Sequence, residues 1–237
     1  MKASCVPFVV ALAFAGPAAS SFAAPGANFN LSNWTLQLPV TSGGSIQQIS
    51  GSQLEGGYTS QYFYSSGSAM VFWCPVNGGT TPNSTYPRSE LREKRPGGDW
   101  PLTGTHTMNA SARVTKVPSN GRVIIGQIHG NASQSEMVKL LWISGRLEAR
   151  VQPNRSSEVG LVLGTYSLGA TLNYQLKMAN KILSVTVNGK TVTYNYTASE
   201  WQSDRYYFKA GAYPQDNAGS SSEGATVQFT SLSVSHN

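Results

Sequence analysis

Short runs of alternating apolar and polar residues recur along this chain of 237 residues, separated by turn-forming residues at intervals of roughly 8–12 residues. The alternation is longest over residues 105–117, and Asn188-Gly189 between two such runs is the strongest hairpin signal in the chain. No window has convincing helical periodicity, and the best helix candidate is a single turn at residues 198–202. The pattern predicts one all-β domain, either a sandwich or a barrel. A β-jelly-roll sandwich of two antiparallel sheets fits it best.

The predicted strands cover most of the chain after residue 32. They span residues 33–39, 68–74, 86–94, 105–117, 122–129, 136–143, 146–152, 172–178, 182–187, 190–196, 206–214 and 226–235. Residues 41–67, 78–84 and 217–224 are rich in Gly and Ser and are interpreted as loops, with one short strand at most in the first of them. We expect residues 41–67 and 153–158 to form loops that close the ends of a substrate groove.

The first 23 residues have the features of a secretory signal peptide. Lys2 supplies a short positive region, residues 6–15 form an apolar run too short to span a bilayer, and Ser21-Phe22-Ala23 resembles a cleavage site. We therefore predict a signal peptide over residues 1–23 and a single domain over residues 24–237. An uncleaved anchor is the alternative, but nothing after the apolar run resembles a stop-transfer segment. The mature protein is then expected to be secreted or periplasmic, with no membrane contact.

The charge of the chain favours an acidic partner and argues against nucleic acid. The formal net charge is +6, and no Lys- or Arg-rich run or basic helix is present. Cys5 leaves with the signal peptide, so Cys74 remains in an apolar run as an inert thiol without a disulfide partner. The three histidines lack the spacing of metal ligands. We therefore expect no metal or other cofactor, and we expect the mature protein to be a monomer.

Three short segments place unlike polar groups on one side of a predicted strand. They are residues 88–92 (RSELR), 127–129 (QIH) and 207–215 (YFKAGAYPQ). Because alternate residues of a strand share a face, the groups that face together are Arg88, Glu90 and Arg92, then Gln127 and His129, then Tyr207, Lys209, Gly211, Tyr213 and Gln215. A buried apolar core does not accommodate such groups. Together the three faces predict a concave cationic groove that binds an acidic polymer and moves a proton.

Each segment also has an ordinary structural interpretation. An Arg–Glu pair on an exposed strand is common and adds little stability. A His at the end of a strand is more often structural than catalytic, although a neutral imidazole is a base near its operating pH. The Lys of the third segment fits a solvent-facing edge strand equally well. A Gly within a strand, by contrast, often permits the close approach of a ligand.

In this order, the three segments resemble the motifs of the alginate lyases of polysaccharide lyase family 7, which are R-[ST]-E-[LV]-R, Q-[IV]-H and Y-[FK]-K-A-G-x-Y-x-Q. Residues 31–39 also resemble the opening strand of that family, so the resemblance covers residues 28–237. Each motif alone is a weak signal, whereas the ordered triple is specific. The resemblance implies that residues 24–237 form a jelly-roll catalytic domain. It also implies cleavage of alginate by β-elimination at the 4-O-glycosidic bond, which leaves an unsaturated uronate at the new non-reducing end.

The resemblance also implies roles for individual residues. Arg88, Gln127 and His129 would surround the uronate carboxylate and stabilise the charge that develops in the transition state. Tyr213 would abstract the C5 proton, protonate the leaving oxygen, or do both, and His129 is a candidate base for one of the two uronate epimers. The implied substrate-binding residues are Glu90, Arg92, Tyr207, Lys209 and Gln215, with Glu90 also orienting an Arg. Ile128, at the centre of the second motif, favours guluronate-containing blocks.

Three other functions remain open at this stage. A glycoside hydrolase needs two carboxylates that flank the bond, yet the chain has only 11 Asp and Glu residues and Glu90 lies between arginines that keep it ionised. A non-catalytic carbohydrate-binding module would not need the set formed by Gln127, His129 and Tyr213. A lyase for another polyuronate, such as glucuronan, is the alternative that sequence separates least.

Overall fold

The computed structural model describes Met1 and residues 23–237, so residues 2–22, which hold most of the predicted signal peptide, lie outside the described residues. The fifteen strands of the described part are β1 (Trp34–Ser42), β2 (Ser45–Ile49), β3 (Phe63–Ser66), β4 (Ala69–Pro75), β5 (Ser89–Glu93), β6 (Thr105–Lys116), β7 (Arg122–Gly130), β8 (Glu136–Ile143), β9 (Arg146–Asn154), β10 (Ser157–Thr165), β11 (Leu172–Ala179), β12 (Ile182–Val187), β13 (Lys190–Asn195), β14 (Tyr206–Pro214) and β15 (Gly224–His236). Two short helices, α1 (Gly51–Glu55) and α2 (Ser199–Gln202), and a 3-10 turn at Pro25–Ala27 complete the described elements. No helix among these residues is long and apolar enough to cross a membrane.

The strands form two antiparallel sheets that pack face to face. One sheet has eight strands in the order β10-β9-β8-β7-β14-β5-β1-β2, and the other has seven in the order β13-β12-β11-β6-β15-β4-β3. Neighbours in each sheet are often distant in sequence, as in β14 between β5 and β7. The predicted β-jelly-roll sandwich is confirmed.

The core lies between the two sheets, and strand alternation explains why the opposite face of the larger sheet is polar. Leu91, Ile128 and Ala210 are fully buried in the core cluster and alternate with the polar residues of the three segments. Leu176 and Phe229 of the second sheet belong to the same cluster. Since burial of one large aliphatic or aromatic side chain contributes about 1.5–3 kcal/mol, the apolar positions hold the strands in register. We call the outward side of the eight-stranded sheet, which bears Arg92, Lys209 and Gln127, the polar face.

The hairpin expected at Asn188-Gly189 joins β12 to β13. Asn188 has φ 46° and Gly189 has φ 87°, the left-handed backbone that a two-residue type I′ turn requires. Val187 pairs with Lys190 directly across this turn. The prediction of this hairpin is confirmed, as is the helical turn expected at 198–202, which forms α2.

Two segments interpreted as loops contain regular structure. Residues 41–67 hold β2, α1 and β3, and α1 begins with a capping box in which Ser50 and Gln53 satisfy each other's backbone N–H groups. Residues 153–158 are the end of β9, a tight turn and the start of β10. The strand β10 was not predicted because it lies at the sheet edge with mostly exposed residues and therefore lacks apolar alternation. That the two segments close the ends of the groove stays a prediction.

Candidate active site

The three polar segments lie on adjacent strands in the middle of the eight-stranded sheet. Lys209 of β14 pairs with Arg92 of β5 on one side and with Gln127 of β7 on the other. Tyr207 pairs with His129, and Tyr213 near the end of β14 lies against the Arg88 guanidinium, 3.9 Å from its ring centroid. The strand order thus gathers the predicted side chains on one face.

Glu90 is the centre of a buried hydrogen-bonded cluster. Its carboxylate lies 2.6 Å from Lys209 Nζ and 3.3 Å from Arg88 Nη1, and it accepts a hydrogen bond of 2.6 Å from Gln127 Nε2. Burial alone would raise the pKa of Glu90, but Lys209 and Arg88 and the hydrogen bonds from Lys209 and Gln127 hold this pKa below its usual value. Glu90 is therefore a permanent anion that positions three other groups, and it is unsuited to act as a general acid.

Lys209 is almost completely enclosed and has two partners. Besides Glu90, its ammonium donates to Gln37 Oε1 of β1 at 3.2 Å. Burial and the nearby Arg88 lower the pKa of Lys209 to about 8, while Glu90 opposes this change. The ammonium is thus charged at neutral pH, close to its titration range.

His129 lies at the wall of a cleft as a neutral imidazole. Burial, followed by the charge of Lys209, lowers the pKa of His129 to about 4. Its Nδ1 is 2.9 Å from the carbonyl oxygen of Gly130, which can only accept, so Nδ1 carries the proton and Nε2 keeps a free lone pair. Tyr207 stacks on the imidazole, with its hydroxyl 3.0 Å from Nδ1. This arrangement makes Nε2 a base.

The guanidinium of Arg92 stacks on the Tyr207 ring, which in turn stacks on His129. It lies 3.8 Å from the centroid of the Tyr207 ring and donates to Asp99 at 3.1 Å. Burial raises the pKa of Tyr207, although Arg92 opposes this change. Tyr207 is consequently a neutral positioning group for His129.

Tyr213 is held in place by Arg88 and a serine. The Arg88 guanidinium stacks 3.9 Å from the centroid of the Tyr213 ring, and the phenol oxygen lies 2.8 Å from Ser84 Oγ. Ser84 also accepts from Arg88 Nη2 at 2.5 Å. Arg88 Nε is buried without a protein partner. Both the phenol and the guanidinium are therefore fixed before any substrate binds.

A polar cleft of about 310 Å³ opens over these groups. Its lining residues are Gln37, Thr81, Pro82, Asn83, Arg88, Arg92, His129, Asn131, Gln134, Tyr207 and Lys209. Asn83 Nδ2 of the β4–β5 loop donates a hydrogen bond of 2.5 Å to Gln134 Oε1 of the β7–β8 loop. This bond connects the two loops beside the cleft. A larger cavity of about 480 Å³ at the ends of β1 and β4 has no charged lining residue, so the smaller cleft is the better candidate site.

The structure does not bring every candidate residue into the cluster. The Gln215 amide donates at 3.4 Å to the carbonyl oxygens of Tyr213 and Pro214, so it folds back on its own strand end. Its assignment to substrate binding stays a prediction. Within the described part of the chain, no group of three or more His, Cys, Asp or Glu residues could hold a metal ion.

Sequence reasoning missed two groups that complete the site. Ser84 lies in a turn-rich loop, where no periodicity indicates which side chain faces the cleft. Gln37 was detectable, since it lies on the polar side of the alternating segment 33–39.

Comparison with known proteins places the chain in one family. The family model described as alginate lyase matches residues 29–236. A curated alginate lyase of Klebsiella pneumoniae is 28% identical, with 94% of each chain covered. The crystal structure of alginate lyase A1-II′, a member of polysaccharide lyase family 7, is 40% identical with a TM-score of 0.84, over 90% of this chain and 98% of that chain. An alginate lyase structure from Pseudomonas aeruginosa is 38% identical with a TM-score of 0.81, over 87% of this chain and 99% of that one. The chain therefore belongs to the alginate lyases of polysaccharide lyase family 7.

Proposed function

We propose that this alginate lyase acts as a monomer with a preference for guluronate-containing blocks, and that the cluster around the polar cleft carries out the elimination. The observation that carries the assignment of the site is the presence of two fixed proton-transfer groups, one that lines the cleft and one that stacks on Arg88, which lines it. These are a neutral His129 with a free Nε2 lone pair and a Tyr213 hydroxyl anchored by Ser84. The charged side chains that line the cleft are the cations of Arg88, Arg92 and Lys209.

The first requirement of the reaction is to neutralise the uronate carboxylate. A C5 proton is a very weak acid while the adjacent carboxylate carries its full charge. The Arg88 guanidinium, which lines the cleft, and the second N–H of the Gln127 amide, whose first goes to Glu90, are the donors that we assign to the carboxylate oxygens. They stabilise the negative charge that moves onto the carboxylate when the C5 proton leaves.

The second requirement is proton transfer at C5 and at the leaving oxygen. A base takes the C5 proton, the electron pair left behind forms the C4=C5 double bond, and the C4–O4 bond breaks. The leaving oxygen, which stays on C1 of the neighbouring unit, takes a proton from an acid. Nε2 of His129 suits the role of base because it is unprotonated above a pH of about 4. Tyr213 suits the role of acid, and it also serves as base where the epimer presents C5–H to its side.

The ligands of a relative support the preference for guluronate. Ile128 does not contact the substrate directly. Structures of variants of alginate lyase A1-II′ contain the product GGG and the substrate GGMG, in which G and M denote guluronate and mannuronate. Ile128 is fully buried in the core, so it can influence the substrate only through the position of Gln127 and His129 beside it.

The test is a parallel assay on polyguluronate, polymannuronate and glucuronan that follows the ultraviolet absorbance of the unsaturated uronate. We expect the fastest rise with polyguluronate. Equal or faster turnover of polymannuronate would contradict the preference, and turnover of glucuronan alone would identify a different polyuronate as the substrate. Reducing ends without absorbance would indicate hydrolysis, and binding without either signal would indicate a non-catalytic module.

We also propose that the protein is exported and cleaved after Ala23, on the strength of the N-terminal signal pattern. Mass spectrometry of protein recovered from the medium or periplasm tests this proposal. A mature chain that still begins at Met1 would contradict it.

A further inference from the structure

A second set of charged side chains continues from the active site across the polar face. Gln127 of β7 pairs with Lys139 of β8, which pairs with Arg150 of β9. Directly paired residues of neighbouring strands share a face, so these side chains form one row with Lys209. Neighbouring strands are about 4.8 Å apart, a distance comparable with the length of one uronate unit. A chain bound across the strands at Gln127 therefore passes over Lys139 and then Arg150.

The carboxylate of Glu158 lies between Lys139 and Arg150 in this row. Glu158 Oε2 lies 2.7 Å from Lys139 Nζ, and Glu158 Oε1 lies 3.6 Å from Arg150 Nη1. Two cations thus share one carboxylate, one at each oxygen. Burial alone would lower the pKa of Lys139, but Glu136 and Glu158 outweigh it and raise this pKa, so the ammonium is charged at neutral pH.

The position of Glu158 makes it the displaceable member of the group. It lies on the edge strand β10, where the register with β9 shifts between Ser157 and Val159. Two residues of β9, at positions 152 and 153, lie opposite Glu158 here, and a bulge of this kind disrupts the ladder locally. The Glu158 side chain is 32% exposed, whereas that of Glu148, which holds Arg150 at 2.8 Å, is only 5% exposed. A partly exposed ion pair such as that of Glu158 adds little to stability, so exchanging its carboxylate for another costs little.

We propose that Lys139 and Arg150 form a second carboxylate-binding site for a uronate unit remote from the cleaved bond, and that Glu158 occupies this site in the free protein until a substrate carboxylate displaces it. The inference rests on the proposed function, because the ligand is a further unit of the same polyuronate chain. Lys139 and Arg150 are binding residues in this assignment and take no part in proton transfer. A purely structural ion-pair network is the competing explanation.

The chain-length dependence of kcat/KM separates the two explanations. The substrates are size-fractionated guluronate oligosaccharides, from the shortest that is cleaved to one several units longer, and the readout is the absorbance of the unsaturated uronate. The variants are Lys139→Met, Arg150→Met and Glu158→Gln. Lys177→Met is the matched control, because Lys177 lies on β11 of the other sheet and its loss changes the net charge equally.

We expect Lys139→Met and Arg150→Met each to lower the ratio of kcat/KM for the long oligosaccharide to that for the short one by about tenfold, the value of one charge-assisted hydrogen bond. Glu158→Gln should raise the same ratio, mainly through a lower KM, because the competing carboxylate has lost its charge. The control should leave the ratio unchanged. Ratios equal to wild type in all three variants, with only the melting temperature altered, would overturn the proposal in favour of the structural network.

Binding measurements distinguish failure of this inference from failure of the proposed function. If the wild-type protein produces no unsaturated uronate from any polyuronate, the proposed function fails. The site is then tested by calorimetric titration with uncleaved polyguluronate. Weaker binding by Lys139→Met than by Lys177→Met would support the site, and equal binding would overturn it. Should Lys139→Met fail to fold, Lys139→Gln supplies the same test with a polar side chain.

Discussion

Replacement of Glu90 by Gln isolates the contribution of the buried anion, since it removes the charge and keeps the shape. In the native site, Glu90 balances two buried cations, Lys209 at 2.6 Å and Arg88 at 3.3 Å. Removal of one partner of a buried ion pair leaves an uncompensated charge and costs about 3–5 kcal/mol. A domain of this kind has a free energy of unfolding of roughly 5–15 kcal/mol, so Glu90→Gln should remove a large part of the stability. Elimination activity should also fall, because the amide of the variant has one acceptor oxygen where Glu90 has two, Oε1 for Gln127 and Oε2 for Lys209 and Arg88.

The loss of stability in Glu90→Gln should depend on pH with a predictable sign. The folded-state pKa of Glu90 lies below its unfolded value of about 4.3, so its contribution is complete above that pH and disappears as the pH falls through the folded-state pKa. The pKa of Lys209 is lowered to about 8. The unfolded chain therefore binds the extra proton between this value and about 10.4, and stability rises with pH in that window. Because Glu90 raises the pKa of Lys209, stability should start to rise at a lower pH in the variant than in wild type.

Urea unfolding followed by tryptophan fluorescence at pH 5, 7 and 9 measures both effects. The difference between wild type and Glu90→Gln should be largest at pH 5, where Glu90 is ionised and Lys209 is protonated, and smaller at pH 9, because the stability of the variant starts to rise at a lower pH than that of wild type. Glu200→Gln is the control, because Glu200 lies on the surface helix α2 and its carboxylate accepts one backbone hydrogen bond from Arg155, at 2.7 Å, that an amide oxygen can still accept. A loss below about 1 kcal/mol, or an equal loss at all three pH values, would refute the reasoning.

Four further outcomes test the remaining parts of the site. Tyr213→Phe should lower turnover about 10²–10⁴-fold while the melting temperature barely changes, since it removes one hydrogen bond to Ser84; near-wild-type turnover on both block polymers would contradict the role of Tyr213. The acid limb of the kcat/KM profile should titrate near pH 4, because His129 is neutral above that value; a limb near pH 6.5 would show an ordinary histidine. Gly211→Ala should lower the free energy of unfolding by about 1–3 kcal/mol, because its Cβ would lie 2.5 Å from Ser89 O; unchanged urea unfolding would show that β14 can move away. Treatment with EDTA should leave the initial rate of the absorbance assay unchanged, and a loss restored by a divalent cation would contradict the metal-free prediction.

The parts of the fold that sequence predicted are those where each strand is buried on one side. Leu91 between Glu90 and Arg92, and Ile128 between Gln127 and His129, impose an alternation that can be read without knowledge of the partner strand. Edge strands lack this constraint. The exposed β10 and the short β2 and β3 therefore escaped prediction, although the spacing of Ser50 and Gln53 at the start of α1 was a detectable capping signal.

The relation between the three segments could not be derived from periodicity. Alternation places Lys209 on the face of its own strand, but only the strand order β7-β14-β5 brings it between Gln127 and Arg92. That order brings together residues more than 80 positions apart in the sequence. Only the resemblance to a family indicated that the three segments form one site. Ser84 shows the limit most clearly, because its contacts with Tyr213 and Arg88 depend on the path of a loop that no periodic pattern specifies.

A carboxylate at the centre of a site that binds carboxylates requires a physical explanation, and the charges around Glu90 provide one. Without Glu90, Arg88 and Lys209 would repel each other in a nearly dry environment, and Lys209 would lose its proton. With Glu90 in place, the three groups keep one net positive charge, and Asp99 balances Arg92 at 3.1 Å. One uronate carboxylate then neutralises the centre of the cleft. Glu90 therefore cannot be displaced without leaving two cations unbalanced, whereas Glu158 at the sheet edge can be exchanged for a substrate carboxylate at little cost.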